Sequence, residues 1–304
     1  MSHHLQYRPL FRSGAVSITD VCCRPDACAC GPEEYSDITT IVFPRAGAFV
    51  RHVGRQQVLA NCNHVLFFRS GETYRVSHPV RDGDDCTSLS FDPAILADAA
   101  SRFDPSARDR PTSPVGVTHG PCWSEPGIYL QRLRQQLRGG EVEGLAVDEL
   151  AIFLLEAVFD AAYRVRGDRP VRERSSVQIQ RERVEAAKSY VTCHFREALA
   201  LADLARAVHY SPYHLARLFR RQVGEPIHRY QNRLRLGTAL EQLAEGAGDL
   251  TAIGLDLGFS SHSHFSSTFC REFGLPPSAF RQTLSPSRLR ELSKNLKARS
   301  FARA

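Results

Sequence analysis

Tyr213, His214, Arg217, Arg220 and Arg221 fall within one short stretch whose apolar residues, Leu215, Leu218 and Phe219, recur at helical spacing. The polar set, with Ala216 beside it, is therefore turned to the face opposite the core. A guanidinium can bond O6 and N7 of one guanine together, so Arg217 is fitted to read a base edge. Arg220 and Arg221 suit phosphate oxygens. Further along the chain the pattern returns with different chemistry. His262, Ser263, His264, Ser266 and Ser267 surround Phe265 and Phe269, with no arginine among them. Short polar side chains of that kind predict weaker readout, through water or thymine-methyl contacts.

A second set of reactive residues lies near the start of the chain. Nine cysteines stand at positions 22, 23, 28, 30, 62, 86, 122, 193 and 270, and four of them crowd together from Cys22 to Cys30. Thiolates and imidazoles bind soft metal ions, so Cys22, Cys28, Cys30, His78 and Cys86 are candidate ligands for one. Their spacing fits no zinc knuckle or ribbon. Buried thiols, a metal site and a redox-sensing pair are all open readings. An odd cysteine count without a secretory signal predicts reduced thiols and a cytoplasmic protein.

The elements that must carry the first set are written twice. Leu201–Gly224 and Leu250–Gly274 each read as a helix, a tight turn and a second helix closed by glycine. Leu201, Leu204 and Val208 match Leu250, Ile253 and Leu257. After a one-residue insertion, Leu215, Phe219, Gly224, Pro226 and Tyr230 match Phe265, Phe269, Gly274, Pro276 and Phe280. The apolar and turn positions agree while the polar ones differ, which predicts one scaffold with two reading surfaces. Gly258 sits where the turn favours φ > 0, and His209 occupies the matching place in the first copy.

Charge divides the same way. Residues 172–304 hold 21 Lys/Arg against 12 Asp/Glu, and residues 1–171 hold 18 against 21. A basic half beside a mildly acidic one suits a DNA-binding domain joined to a sensor. No apolar run approaches the length of a membrane span. The first part favours short strands: Ala15–Cys22, Asp37–Phe43, Ala48–Val53, Gln56–Leu59, His64–Phe68, Thr73–Val76 and Thr87–Phe91, an antiparallel barrel or sandwich. Residues 92–120 read as a loop or a poorly packed segment. Helices are expected from Ser124 to Gly139 and from Val147 to Arg166, the second with Leu150, Phe153, Leu154, Ala157, Val158 and Ala161 on its apolar face. This pair suits either packing on the barrel or dimerisation. The predicted organisation is an α+β chain: a sensor over 1–120, a helix pair over 121–168, a linker over 169–177, a helical domain over 178–283 starting with a helix from Arg183 to His194, and a basic tail over 284–304.

The segment from Val184 to Gln282 resembles the DNA-binding domain of AraC/XylS-type bacterial transcription regulators. The resemblance rests on Ser211-Pro-Tyr-His-Leu-Ala-Arg-Leu-Phe-Arg, on Gly258-Phe-Ser-Ser-His-Ser-His-Phe-Ser-Ser-Thr-Phe and on Phe273-Gly-Leu-Pro-Pro-Ser-Ala-Phe-Arg281. His209 replaces the usual turn glycine, and Ser267 stands where members often carry arginine. The resemblance implies binding to double-stranded promoter DNA, activation through RNA polymerase, and a cupin-like N-terminal barrel that binds an unidentified effector and forms a homodimer. Gly71–Val80 is similar to that barrel type. Two alternatives share the same DNA-binding domain. One is a cupin-type metal-dependent enzyme, for which His52, His64 and His78 are too scattered. The other is a thiol or metal sensor, including a methyl-repair-like regulator, since Cys23-Arg-Pro-Asp-Ala-Cys28 echoes the Cys-Arg-Pro-Ser-Cys of adaptive DNA repair proteins with an extra residue. A non-enzymatic regulator is the expectation.

Overall fold

The computed structural model describes residues 4–25, 30–79, 82–110, 112–122, 125–138, 144–166, 175–246 and 248–283. Among the described residues, ten strands make up the N-terminal part: β1 (His4–Arg12), β2 (Val16–Arg24), β3 (Glu34–Ser36), β4 (Thr40–Gly47), β5 (Phe49–Val53), β6 (Gln56–Ala60), β7 (His64–Phe68), β8 (Glu72–Ser77), β9 (Asp84–Phe91) and β10 (His119–Pro121). They form a six-stranded sheet in the order β1-β2-β9-β4-β7-β10 and a four-stranded sheet in the order β3-β8-β5-β6. Every pairing is antiparallel.

Alternation along the strands decides what each face meets. Val16, Ile18, Val65, Phe67, Leu89 and Phe91 turn from the large sheet toward helices α1 (Pro93–Ser101), α2 (Glu125–Arg138) and α3 (Gly144–Arg166). Leu66, Phe68 and Cys86 turn the other way, against Phe49 and Ala60 of the small sheet. Every residue of β7 is buried for this reason. The chain is therefore α+β, with two antiparallel sheets followed by a helical domain.

Three expectations change. The described part of residues 92–120 contains α1, a 3₁₀ turn at Pro105–Asp109 and β10 rather than loop alone. Asp92 accepts a bond from the Ala94 amide and Pro93 opens the helix, a start signal carried by the sequence itself. The buried face of α3 is Val147, Ala151, Leu154, Leu155, Val158, Phe159 and Ala162, rotated from the expected stripe, and Phe153 faces outward. This face packs on the six-stranded sheet, and a Cβ on Gly120 of β10 would come within 2.5 Å of Ala162. Finally, β1 and β3 were not anticipated.

The helical domain runs α4 (Ser175–His194), α5 (Leu201–Ala207), α6 (Pro212–Val223), α7 (Ile227–Ala244), α8 (Leu250–Asp256), α9 (His262–Phe273) and α10 (Pro277–Thr283). Helix α4 starts inside the segment read as linker, and residues 167–174 and 284–304 lie outside the described residues. Val184, Ala187 and Val191 of α4 join Leu204, Leu215, Phe219 and Tyr230 in one core. Ile253, Phe265, Phe269, Phe273 and Phe280 make a second core with the far end of α7. Among the described residues, no helix is long and apolar enough to cross a membrane.

Candidate nucleic-acid interface

The two expected reading helices are α6 and α9, and the same local chemistry starts and stops both. Ser211 and Ser261 cap them, each hydroxyl accepting from the backbone N–H three residues on, His214 at 3.2 Å and His264 at 3.1 Å. Gly224 and Gly274 close them in the left-handed conformation, with φ of 86° and 75°. Burial then follows one sequence in both. Leu215, Leu218 and Phe219 are buried in the first, and Phe265, Thr268 and Phe269 in the second, with exposed positions falling between them in the same order. The repeat is structural as well as textual.

The outward faces differ as expected. On α6, Tyr213, His214, Arg217, Arg220 and Arg221 are all exposed, and Ala216 is half-buried. The Tyr213 hydroxyl accepts from Arg217 Nη1 at 3.1 Å, and the guanidinium lies 5.4 Å from the centre of the Tyr213 ring. That contact holds Arg217 extended along the helix while leaving donors for a partner. Arg221 instead donates to Gln180 of α4 at 2.7 Å, so it braces the helix as well as facing outward. On α9, His262, Ser263, His264 and Ser267 are exposed and Ser266 is half-buried. The His264 ring bonds Ser260 Oγ at 3.0 Å and packs edge-on against Phe259, and Ser267 donates to the His264 carbonyl. His262 and Ser266 share a 3.3 Å contact. These side chains bond one another, and α9 carries a single arginine, Arg271, in its last turn.

Helix α7 fixes the relation between the two units. Arg233 meets Glu225, just past α6, at 2.8 Å, and Glu272 of α9 at 3.0 Å. Arg235 donates to the carbonyls of Phe195, Glu197 and Gly258, each between 2.7 and 2.8 Å. The second unit's turn is thereby tied to the loop after α4.

Sequence reasoning missed a second polar cluster that joins the sheets to this domain. Glu241 of α7 is 6% exposed. Arg45 of β4 reaches it at 2.5 Å, Arg134 of α2 at 2.7 Å and Gln131 at 2.8 Å, and Asp20 of β2 lies 3.6 Å from Arg45. Burial pushes the Glu241 carboxyl up, but Arg134 and Arg45 with the bonds from Gln131 and Arg45 hold it below the ordinary value. Beside this cluster, Asn61 donates to Thr192 at 2.9 Å and to the Tyr230 hydroxyl at 2.8 Å. Glu185 accepts from the Leu59 amide. Gly237 of α7 admits Cys62, whose Sγ would lie 2.7 Å from any Cβ there.

His64 sits in the same seam, its Nδ1 2.8 Å from Asn61 Oδ1 and its ring 6.1 Å from that of Tyr230. Burial first, then the charges of Lys188 and His119, hold its imidazole well below the ordinary 6.5. It is therefore neutral when folded, whereas the unfolded chain takes up a proton below that pH. The stability from this site is complete above pH 6.5 and falls on acidification, at up to about 1.4 kcal/mol per pH unit. Urea unfolding should show the wild type losing about 1 kcal/mol more than His64→Gln between pH 6.5 and 5.5. Equal losses would mean that the ring is protonated in the folded protein.

The proposed cysteine ligands do not assemble as a set. Cys22 faces outward beside Asp85, Cys30 is exposed, and Cys28 lies outside the described residues. His78 and Cys86 do converge, with Cys23 and Asp84 in place of the others. The register of β2 against β9 makes this substitution, because it turns Cys23 inward and Cys22 out.

A fold with two capped, glycine-closed helix-turn-helix units on a shared connecting helix defines a DNA-binding domain. Residues 204–283 match the family model described as "Helix-turn-helix domain". The C-terminal part of the chain is therefore a helix-turn-helix domain. It is similar to the regulatory protein PocR of Salmonella typhimurium, with 31% identity covering 34% of this chain and 34% of PocR. It is also similar to a crystal structure of a transcriptional regulator with an AraC-type DNA-binding domain from Chromobacterium violaceum. That likeness has 32% identity, covers 35% of this chain and 95% of the other, and has a TM-score of 0.33. A longer similarity, 24% identity over 77% of this chain and 80% of the relative, links it to the uncharacterised HTH-type transcriptional regulator YbfI of Bacillus subtilis. The chain spans about a third of the length of PocR.

Proposed function

We propose that the protein is a sequence-specific transcription regulator, with an activating role through RNA polymerase, whose DNA-binding domain answers to a signal received by the N-terminal sheets. The observation that carries this reading is the exposed, basic outer face of α6 on a capped helix, matched in frame by α9. The seam around Glu241 and Asn61 gives a signal in the sheets a direct route to α4 and α7. PocR and YbfI are named as regulators, which favours a binding protein over a cupin-type enzyme. A homodimer agrees with the reading, because paired sites raise affinity without new contacts.

Within this scheme Arg217 contacts a base, Arg220 and Arg221 contact phosphates, and Tyr213 and His214 border the groove. His262, Ser263, Ser266 and Ser267 supply the second, weaker readout. The full-length protein, used to enrich sites from a random duplex library at moderate salt, should yield a defined motif. Arg217→Ala should flatten preference at one position, costing about 1–3 kcal/mol of discrimination there. Anisotropy titrations against single-base variants would measure this. A wild-type protein with no preference over random DNA overturns the reading.

A further inference from the structure

The other cluster of ligand-forming side chains lies between the two sheets. The pairing of β2 with β9 sets Cys23 opposite Asp84, and Cys86 is the next residue along β9 on the same side. His78 enters from the small sheet, as the residue after β8. All four are buried, with His78 2% and Cys86 3% exposed. His78 Nε2 lies 2.7 Å from Asp84 Oδ1, and Cys86 Sγ lies 3.0 Å from Asp84 Oδ2. One ligand atom each from Cys23, His78 and Asp84 falls within 4.8 Å of the others. We propose that Cys23, His78 and Asp84 bind one zinc-type divalent ion, with the Cys86 thiol bonded to the other oxygen of Asp84 beside it.

The donor set selects the class of ion. Magnesium and calcium ask for oxygen ligands, whereas sulfur with imidazole and one carboxylate suits a tetrahedral zinc centre. In such a centre neighbouring ligand atoms stand roughly 3.3–3.8 Å apart. The short contacts to Asp84 open slightly and the longer separations close by about 1 Å, which are side-chain adjustments. Charge also balances: a divalent cation, the Cys23 thiolate and the Asp84 carboxylate sum to zero around a neutral His78. Binding breaks the S–H bond at Cys23, forms an S–metal bond and releases the proton to buffer, with no change of oxidation state.

The backbone holds these strands tightly at the site. A Cβ on Gly83 would lie 2.0 Å from the Cys23 carbonyl oxygen, and one on Gly47 would lie 1.9 Å from that of Gly83. The turn entering β9 is thus pressed onto both β2 and β4, so the ligand-bearing ends cannot drift apart. The rival explanation is a buried hydrogen-bonded group with no affinity for metal.

The test uses the reduced full-length chain without DNA, so it stands or falls apart from the regulatory reading. Protein purified without chelator should retain one zinc per chain after gel filtration. Chelator-stripped protein loaded with cobalt(II) should show thiolate-to-cobalt charge transfer and the intense visible bands of a tetrahedral ion. Both signals should be lost in Cys23→Ser and in His78→Gln, and kept in Cys22→Ser and Cys30→Ser, whose side chains lie outside the cluster. Zinc should raise the melting temperature of the wild type and leave that of His78→Gln unchanged. If Cys23→Ser does not fold, the wild-type cobalt spectrum and His78→Gln decide. A wild type that takes up no ion, or one whose uptake is lost in Cys22→Ser or Cys30→Ser instead, overturns the site.

Discussion

Glu241→Ala is expected to destabilise the protein by about 3–5 kcal/mol, because it leaves two guanidinium groups buried without their carboxylate. Arg45 and Arg134 converge on that one side chain, and their other acidic neighbour, Asp20, lies farther off at 3.6 and 3.8 Å. The cost is not the net worth of the ion pairs, since burying three charges already demanded desolvation. It is the cost of orphaning the arginines. Replacing Glu241, Arg45 and Arg134 together by apolar residues of similar volume should therefore recover most of the loss. Because the cluster ties β4 and α2 to α7, calorimetry should show the single variant melting earlier and in separated steps. A loss below about 1 kcal/mol would mean that water solvates the arginines once the carboxylate is gone.

Gly258→Ala is expected to cost about 3 kcal/mol or more and to weaken DNA binding through the second unit. Two penalties add. The residue holds φ at +83°, where a side chain costs about 1–2 kcal/mol, and a Cβ would lie 2.0 Å from the Arg196 carbonyl oxygen. That second contact involves backbone, so relief requires moving the loop that Arg235 pins. His209 isolates the two effects. It adopts φ of 55° at the matching turn of the first unit with a full side chain, so the dihedral alone is tolerable. His209→Gly should thus be nearly neutral in urea denaturation, while Gly258→His should unfold the second unit. Similar effects at both positions would show that the dihedral, and not the space, makes glycine necessary.

Features written locally could be read from the sequence. The frames of α6 and α9 follow from apolar residues at helical spacing between a serine cap and a closing glycine, all within one stretch. The start of α1 at Asp92-Pro93 was equally local, and it was obscured by the Pro and Asp content of the segment around it. Features made by register or by distant pairing stayed hidden. Cys23 and Asp84 meet only because β2 lies beside β9 in one particular alignment. Glu241 meets Arg134 and Arg45 across 107 and 196 residues of chain, and no periodicity announces such a meeting. Strand β1 was missed because Pro9 interrupts its alternation, and the pairing with β2 slips between Pro9 and Phe11.

The common burial order of α6 and α9 has a consequence for how such a protein changes over generations. The inward positions of both helices are filled mainly by apolar side chains, and the largest chemical differences between the two, arginine against serine and histidine, lie on the outward faces. In the proposed reading, substitutions on the outward face of one copy alter which sequences it prefers at little cost to folding, while the other copy keeps the protein attached to its old sites. Duplication has thereby separated the freedom to explore new targets from the obligation to stay folded.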